Sequence, residues 1–135
     1  MNSKVCHKIK NNIDKKDKTK RDIVYTPEEV AIDCIKLTLP FLKDTDVLLE
    51  PFTGKDAFYN NFPTENKKDW CEIERDRDYL ESDIECDWVI TNPPYSIMNT
   101  ILPKLFECRK GFCLLVNNLT ITPPRLNKIN DAGFY

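Results

Sequence analysis

Four short apolar runs, each closed by polar or turn-forming residues, constrain the fold of this chain most strongly. They are Asp46–Glu50, Asp69–Ile73, Asp87–Thr91 and Gly111–Val116. Short apolar runs between turn signals are typical of strands, and strands that alternate with helical patterns predict an α/β fold with a mainly parallel sheet. The uniformly apolar stretches Val47–Leu49 and Phe112–Val116 predict strands that are buried on both faces.

Helical patterns flank these runs. Thr26-Pro27-Glu28-Glu29 is typical of a helix start, with threonine as N-cap and proline at the first helical position. Apolar residues at i, i+4 spacing follow, and Pro40 is expected to end this helix. A second helical face runs from Ile97 to Phe106, where Pro103 predicts either a late start or a kink. Residues 117–135 are predicted to be polar and rich in turns.

Composition places the chain in one broad class. It has 135 residues, of which 41% are hydrophobic and 31% charged, as in an ordinary globular domain. No apolar run approaches the roughly 20 residues of a membrane span, and the N-terminus lacks the hydrophobic core of a secretory signal. We therefore expect an intracellular, cytoplasmic protein without a membrane partner.

Two regions are predicted from the distribution of charge. Residues 1–22 hold eight Lys or Arg residues against three aspartates, although the whole chain carries a net charge of −2. This segment is predicted to be a basic, flexible arm, and residues 23–135 to be the folded domain. The arm is interpreted either as a solvated tail or as a segment that contacts phosphates.

The cysteines do not form a metal-binding pattern. Six cysteines are present without a CxxC pair, and His7 is the only histidine, so no metal site is predicted. Reduced thiols are the expectation for an intracellular protein. Cys34 and Cys113 lie in apolar runs, where a free thiol behaves as a small hydrophobic side chain.

Polar residues capable of ligand binding or catalysis follow three of the predicted strands. In open parallel sheets, ligands bind beyond the carboxyl ends of the strands, where Glu50–Gly54, Glu72 and Asn92–Tyr95 are expected. Gly54 allows a ligand to approach the backbone closely. Neither a Walker sequence nor a GxGxxG fingerprint is present, so an ordinary strand-to-helix turn remains an alternative for the first segment.

The sequence Asn92-Pro93-Pro94-Tyr95 is the most specific of the three segments. The side-chain oxygen of Asn92 and the carbonyl of Pro93 are two acceptors that can hold one NH₂ group. The prolines fix the backbone, and Tyr95 offers a flat face for a planar substrate. The alternative interpretation is a proline-rich turn with a core tyrosine.

Five motifs in a fixed order extend this pattern from Thr26 to Ser96. They are TPEEV (Thr26–Val30), LEPFTGKDAF (Leu49–Phe58), WCEI with Glu72, RDYL with Asp78, and DWVITNPPYS (Asp87–Ser96). In this order they resemble the S-adenosylmethionine-dependent amino-methyltransferases, which methylate adenine N6, cytosine N4 or the glutamine side chain. The chain is most similar to the adenine-N6 enzymes, including small ones of large DNA viruses and phages.

The resemblance implies a Rossmann-like methyltransferase sheet that binds S-adenosylmethionine as its cofactor. The residues it assigns to the cofactor are Thr26, Pro27, Glu50, Phe52, Gly54, Glu72, Asp78 and Asn92. Thr26 and Pro27 would contact the methionine end of the cofactor. Its methionine and adenosine parts would be lined by Glu50, Phe52 and Gly54. Glu72 would bind the ribose, and Asp78 the adenine amine.

The resemblance also implies the catalytic residues Asn92, Pro93, Pro94 and Tyr95. The Asn92 side chain and the Pro93 carbonyl would hold the target amine, and Tyr95 would stack on a base that has left its helix. Methyl transfer would be direct, so that positioning and electrostatics supply most of the acceleration.

Three features depart from the family pattern. Asp56 stands where a second glycine is usual, and aspartate lacks the backbone freedom of glycine. The segment Ile73–Asp87 is too short for the usual helix between strands, so the family's third strand is expected to be vestigial. The family usually adds a C-terminal helix, hairpin and target-recognition region after the position of Tyr135. The sheet is therefore expected to be shortened at its C-terminal end, with a second subunit or a C-terminal region completing it.

Several functions fit these residues. The leading hypothesis is methylation of adenine N6 in nucleic acid, with DNA preferred over RNA as the partner. RNA adenine and protein glutamine are alternatives within the same chemistry. A catalytically inactive, methyltransferase-like binding module is the alternative outside it, supported by Asp56. A chance motif in a generic α/β domain is disfavoured by the five ordered matches.

Overall fold

The computed structural model describes residues 25–134, so the predicted arm at residues 1–22 lies outside the described residues. The described residues form four strands and three α-helices. The strands are β1 (Val47–Glu50), β2 (Lys67–Trp70), β3 (Trp88–Thr91) and β4 (Gly111–Leu114). The helices are α1 (Glu28–Thr38), α2 (Met98–Leu105) and α3 (Pro123–Asp131).

The four strands form one sheet in the order β2-β1-β3-β4, and each neighbouring pair is parallel. The predicted α/β class and the parallel sheet are confirmed, and the arrangement is compatible with a Rossmann-like fold. The chain leaves β1 toward one edge of the sheet and leaves β3 toward the other. The carboxyl ends of β1 and β3 therefore flank a topological switch point, where open α/β sheets bind ligands.

Alternate residues of the two central strands supply two separate cores. Leu48 and Ile90 pack on the side of α1, whereas Leu49 and Val89 pack on the side of α2. Successive side chains of a strand point to opposite faces of the sheet, so each apolar pair serves both layers. These four side chains are fully buried, which confirms the prediction that Val47–Leu49 lies in a strand covered on both faces.

Two predictions about the outer strands differ from the structure. The run Phe112–Val116 was expected to be buried on both faces, but its residues are only half-buried because β4 lies at an edge of the described sheet. The second strand was expected at Asp69–Ile73, yet β2 begins at Lys67 and ends at Trp70. Its two lysines are exposed, and an exposed edge strand does not need an apolar signal.

The first helix begins differently from the prediction. The N-cap is Pro27, with extended φ −58° and ψ 142°, and no side chain caps this helix. The predicted threonine cap is therefore wrong, because the carbonyl of Pro27 accepts from the N–H groups of Val30 and Ala31 at 3.1 Å each. The end of α1 at Thr38, just before Pro40, agrees with the prediction.

The predictions for the other two helices also change. Pro103 lies inside α2, so the helix begins well before it and the late-start alternative is wrong. Residues 117–135 were expected to be turns, but Pro123–Asp131 forms α3, with proline in its first turn. Proline is favoured there because its missing N–H has no helical partner to lose.

The connections beside β2 contain no α-helix. Residues 71–87, between β2 and β3, form 3₁₀ turns at Ile73–Arg75 and Tyr79–Glu81. This agrees with the expectation that the segment is too short for a helix, and no further strand lies within it. Among residues 25–134, every helix is too short or too polar to cross a membrane.

Candidate functional site

The predicted site residues gather at the switch point between β1 and β3. The turn Pro51–Gly54 follows β1, and Asn92–Tyr95 follows β3 directly. Glu72 follows β2 on the outer side of β1. Because the strands are parallel, all three segments emerge at the same edge of the sheet.

The side chain of Asn92 is held at both ends. Its Nδ2 donates to Thr26 Oγ1 at 3.1 Å, and its Oδ1 accepts from the Tyr95 hydroxyl at 3.0 Å. The tyrosine hydroxyl also lies 3.4 Å from the Leu115 carbonyl, just beyond β4. The hydroxyl of Thr26, which was expected to cap a helix, instead fixes the orientation of the asparagine amide.

The two prolines give Asn92-Pro93-Pro94-Tyr95 a defined backbone. Pro93 is buried and Pro94 is half-buried, and Pro94 has φ −65° and ψ 117° before the turn that leads into α2. Half-burial raises the pKa of the Tyr95 hydroxyl above its ordinary value. The hydroxyl is therefore protonated at neutral pH and can donate to Asn92.

A glycine turn forms the other wall of the switch point. Gly54 has φ +51°, a conformation that glycine adopts without steric penalty. A Cβ at this position would lie 3.3 Å from the ring of Tyr25. The N–H of Gly54 donates to Glu72 Oε2 at 2.8 Å. The acid after β2 thus holds the turn after β1 in place, a structural role that the sequence analysis did not anticipate.

Glu50 is placed differently from the other acids. It is 1% exposed and its Oε2 accepts from the backbone N–H of Tyr59 at 2.6 Å. Burial raises the pKa of its carboxyl to about 8, and the negative charges of Asp56 and Glu72 act in the same direction. Its carboxyl thus holds the backbone at Tyr59, and its contact with a cofactor stays a prediction.

Asp78 and Phe52 complete the predicted set. Asp78 Oδ1 accepts from the N–H of Leu80 at 2.9 Å and so caps a 3₁₀ turn. The ring of Phe52 meets the buried ring of Tyr79 edge-on, with centroids 5.5 Å apart. The segment after β2 and the turn after β1 are thereby packed together. Within the described residues, no group of three or more His, Cys, Asp or Glu side chains is arranged to hold a metal ion.

Asp56 adopts the conformation that a glycine would have adopted. It has φ +64°, in the left-handed region that costs an ordinary residue about 1 kcal/mol or more. Arg75 donates to its carboxylate at 2.6 Å and also to the hydroxyl of Thr53. The guanidinium of Arg75 stacks on Trp70, 4.4 Å from the ring centroid. Asp56, which stands where a second glycine was expected, is thus held by a contact with Arg75.

Substitutions at Asp56 should separate the backbone cost from the ion pair. We expect Asp56→Gly to stay within about 1 kcal/mol of the wild-type free energy of unfolding, because relief of the positive φ offsets a pair that is partly exposed. Asp56→Ala loses the pair and keeps the strain, so it should be less stable than the glycine variant by about 1 kcal/mol. Urea unfolding measures both.

The matched control for this comparison is Asp76, which has a similar φ of +58° and ends the next 3₁₀ turn. Asp76→Gly should be more stable than Asp76→Ala by about the same 1 kcal/mol. Equal stability of the two Asp56 variants, beside a clear difference at Asp76, would show that the backbone at Asp56 carries no strain.

Tyr25 and Arg75 are the residues of this site that sequence reasoning missed. Tyr25 contacts the glycine turn and its neighbour Thr26 contacts Asn92, so this dipeptide bridges the two walls. The ammonium of Lys55 lies 4.4 Å from the centroid of the Tyr25 ring. In the sequence, only the position of Tyr25 beside Thr26 indicated that it belongs to the site. For Arg75 the corresponding indication was its place among the charged residues after Glu72.

Comparisons with protein-family models, with curated proteins and with solved structures found no match. The function of the switch-point site therefore has to be inferred from its own residues and contacts.

Proposed function

We propose that this chain is an S-adenosylmethionine-dependent amino-methyltransferase, with adenine N6 in DNA as the leading substrate. The observation that carries the proposal is the anchored amide of Asn92 at the switch point, beside the glycine turn. Thr26 and Tyr95 hold its two ends. This arrangement places a fixed acceptor where a parallel sheet binds ligands.

The residues around the turn fit the proposed cofactor. A side chain at Gly54 would meet the ring of Tyr25. Two carboxylates lie at the same turn, where Glu72 accepts from the Gly54 N–H and Asp56 contacts Arg75. The cofactor carries a positive sulfonium and a positive ammonium group, which acidic side chains attract. When bound, it would supply an electrophilic methyl group. Glu72 and Asp78 would hold its ribose and adenine, and Thr26 with Pro27 its methionine end.

The residues after β3 would prepare the acceptor amine. The Oδ1 atom of Asn92 and the carbonyl of Pro93 would accept the two N–H groups, which raises the electron density on nitrogen. The Tyr95 hydroxyl now donates to that same Oδ1 atom, so an arriving amine would replace this hydrogen bond. The tyrosine ring would then be available to stack on a flat substrate such as an extruded base.

Calorimetric titration of S-adenosylmethionine into the full chain tests the cofactor site. We expect micromolar affinity for the wild type. Asp78→Ala should weaken binding about 10–100-fold, through loss of a hydrogen bond to a charged group. Glu81→Ala is the matched control, because Glu81 is an exposed acid on the same 3₁₀ turn. It should leave the affinity unchanged.

Transfer of a labelled methyl group to DNA, RNA and a glutamine-containing peptide then identifies the substrate. Incorporation into DNA adenine supports the leading proposal, and incorporation into RNA or peptide instead reassigns the substrate. Cofactor binding without transfer to any of the three would make the chain a binding module. Absence of binding at millimolar cofactor would overturn the proposal as a whole.

A further inference from the structure

A second site, a cavity lined by two cysteines, lies away from the switch point, on the α2 side of the sheet. A cavity of about 390 Å³ opens between the segment before β3 and the end of α2, and both Cys86 and Cys108 line it. Each cysteine is 8% exposed. The backbone N–H of Arg109, the residue after Cys108, donates to the carbonyl of Cys86 at 3.4 Å, so the two cysteines lie on adjacent segments. The cavity is much larger than the roughly 30 Å³ of a water molecule.

The surroundings make the two thiols unequal. Hydrogen bonding by the neighbouring Cys108 thiol lowers the pKa of Cys86. The positive charges of Arg109 and Lys104 act in the same direction, whereas burial and the charge of Asp87 act against it. The pKa of Cys108 is raised because it is the donor and is also buried. A thiolate is the reactive form of cysteine, so the lowered pKa and the two nearby cations favour Cys86 as the nucleophile of the pair.

We propose that Cys86 and Cys108 form a modification site, in which a hydroperoxide that enters the cavity oxidises the pair to a disulfide. The Cys86 sulfur attacks one peroxide oxygen. The O–O bond breaks, a sulfenic acid forms, and the other oxygen leaves as an alcohol, or as water from hydrogen peroxide, with the thiol proton. The Cys108 sulfur then attacks the Cys86 sulfur, and the hydroxyl leaves as water with the second thiol proton. Two electrons pass from the two thiols to one peroxide.

A second pair of neighbouring cysteines provides an internal comparison. The Cys113 sulfur lies 4.0 Å from the carbonyl oxygen of Cys34, on the α1 side of the sheet. Burial raises the pKa of the Cys34 thiol, and both Cys113 and the acidic Asp33 add to that effect. The proposal therefore predicts that peroxide joins Cys86 to Cys108 before it joins Cys34 to Cys113.

Peptide mapping of the reduced full chain after treatment with hydrogen peroxide tests this order. Trypsin cuts after Lys104 and Arg109, so the disulfide would join peptide 78–104 to peptide 105–109 with the loss of two hydrogens. Cys108→Ser should stop the cross-link and leave a sulfenic acid on Cys86, which dimedone traps. Cys71→Ser is the control, because Cys71 is buried in the same core and does not line the cavity. It should still form the cross-link.

The outcomes divide clearly. A first cross-link between Cys34 and Cys113, or dimedone labelling at cysteines other than Cys86, would overturn the proposal. The expected disulfide closes a loop that contains β3, Asn92–Tyr95 and α2. It should raise the melting temperature by on the order of 10 °C, by restricting the unfolded chain. These measurements need no methyl acceptor, so they are independent of the proposed transferase activity.

Discussion

Replacing Asn92 by alanine is expected to lower kcat for methyl transfer by about 10²–10³-fold, the usual effect of removing one fixed polar contact from a reacting group. The affinity for S-adenosylmethionine should stay within about threefold of wild type, because the proposed role of the lost contact is to hold the acceptor amine. Single-turnover kinetics with labelled cofactor, beside calorimetric titration, measure the two quantities separately. Activity of Asn92→Ala within about threefold of wild type would reject the amine-holding role.

Two further variants make this experiment specific. Thr26→Ala removes the hydroxyl that accepts from Asn92 Nδ2, together with a methyl group, so it should lower kcat by about tenfold through loss of positioning. Asn99→Ala removes an exposed asparagine on α2 whose side-chain oxygen accepts from Arg125 at 3.0 Å. It should leave both kcat and cofactor affinity unchanged. A larger loss in the Asn99 variant than in the Thr26 variant would contradict the proposed orientation of the amide.

The sheet was predictable where its strands are buried on both faces. Leu48 and Leu49 had to be apolar together because they serve opposite layers, and this makes β1 visible in the sequence. The position of β2 was not predictable from the same signal, because Lys67 and Lys68 are exposed at an edge. The helix α3 was missed for a similar reason, since none of its residues is buried.

The site was predictable as a set of segments and not as a set of contacts. Parallel strands bring Glu50–Gly54, Glu72 and Asn92–Tyr95 to one edge whatever their side chains do. The partners of those side chains depend on atoms distant in sequence, as when Thr26 reaches Asn92 across 66 positions. The place of Asp56 in the motif already indicated a glycine-like backbone, whereas its contact with Arg75 was not predictable, because that contact joins residues 19 positions apart.

The pH dependence of stability should be dominated by Glu50. Its pKa is about 8 in the folded chain against an ordinary value of 4.5, so the folded state keeps a proton that the unfolded state has released. The free energy of unfolding therefore falls as pH rises from about 4.5 to about 8, by about 5 kcal/mol, and this contribution is constant above pH 8. Glu50→Gln stays neutral at every pH, and this slope should disappear from its urea-unfolding profile. Glu81→Gln, at an exposed acid, should keep the wild-type slope.

The same protonated carboxyl offers a test of whether Glu50 meets the proposed cofactor. If a positive group of the cofactor lies against it, binding at pH 7 would stabilise the carboxylate and release a proton. Titrations in buffers of different ionisation enthalpy would then give different apparent heats for the wild type and equal heats for Glu50→Gln. If the carboxyl only holds the N–H of Tyr59, both proteins should give equal heats in every buffer. In that case the acid at the end of β1 holds the backbone at Tyr59, and Glu72 and Asp78 are the acids that remain to bind the cofactor.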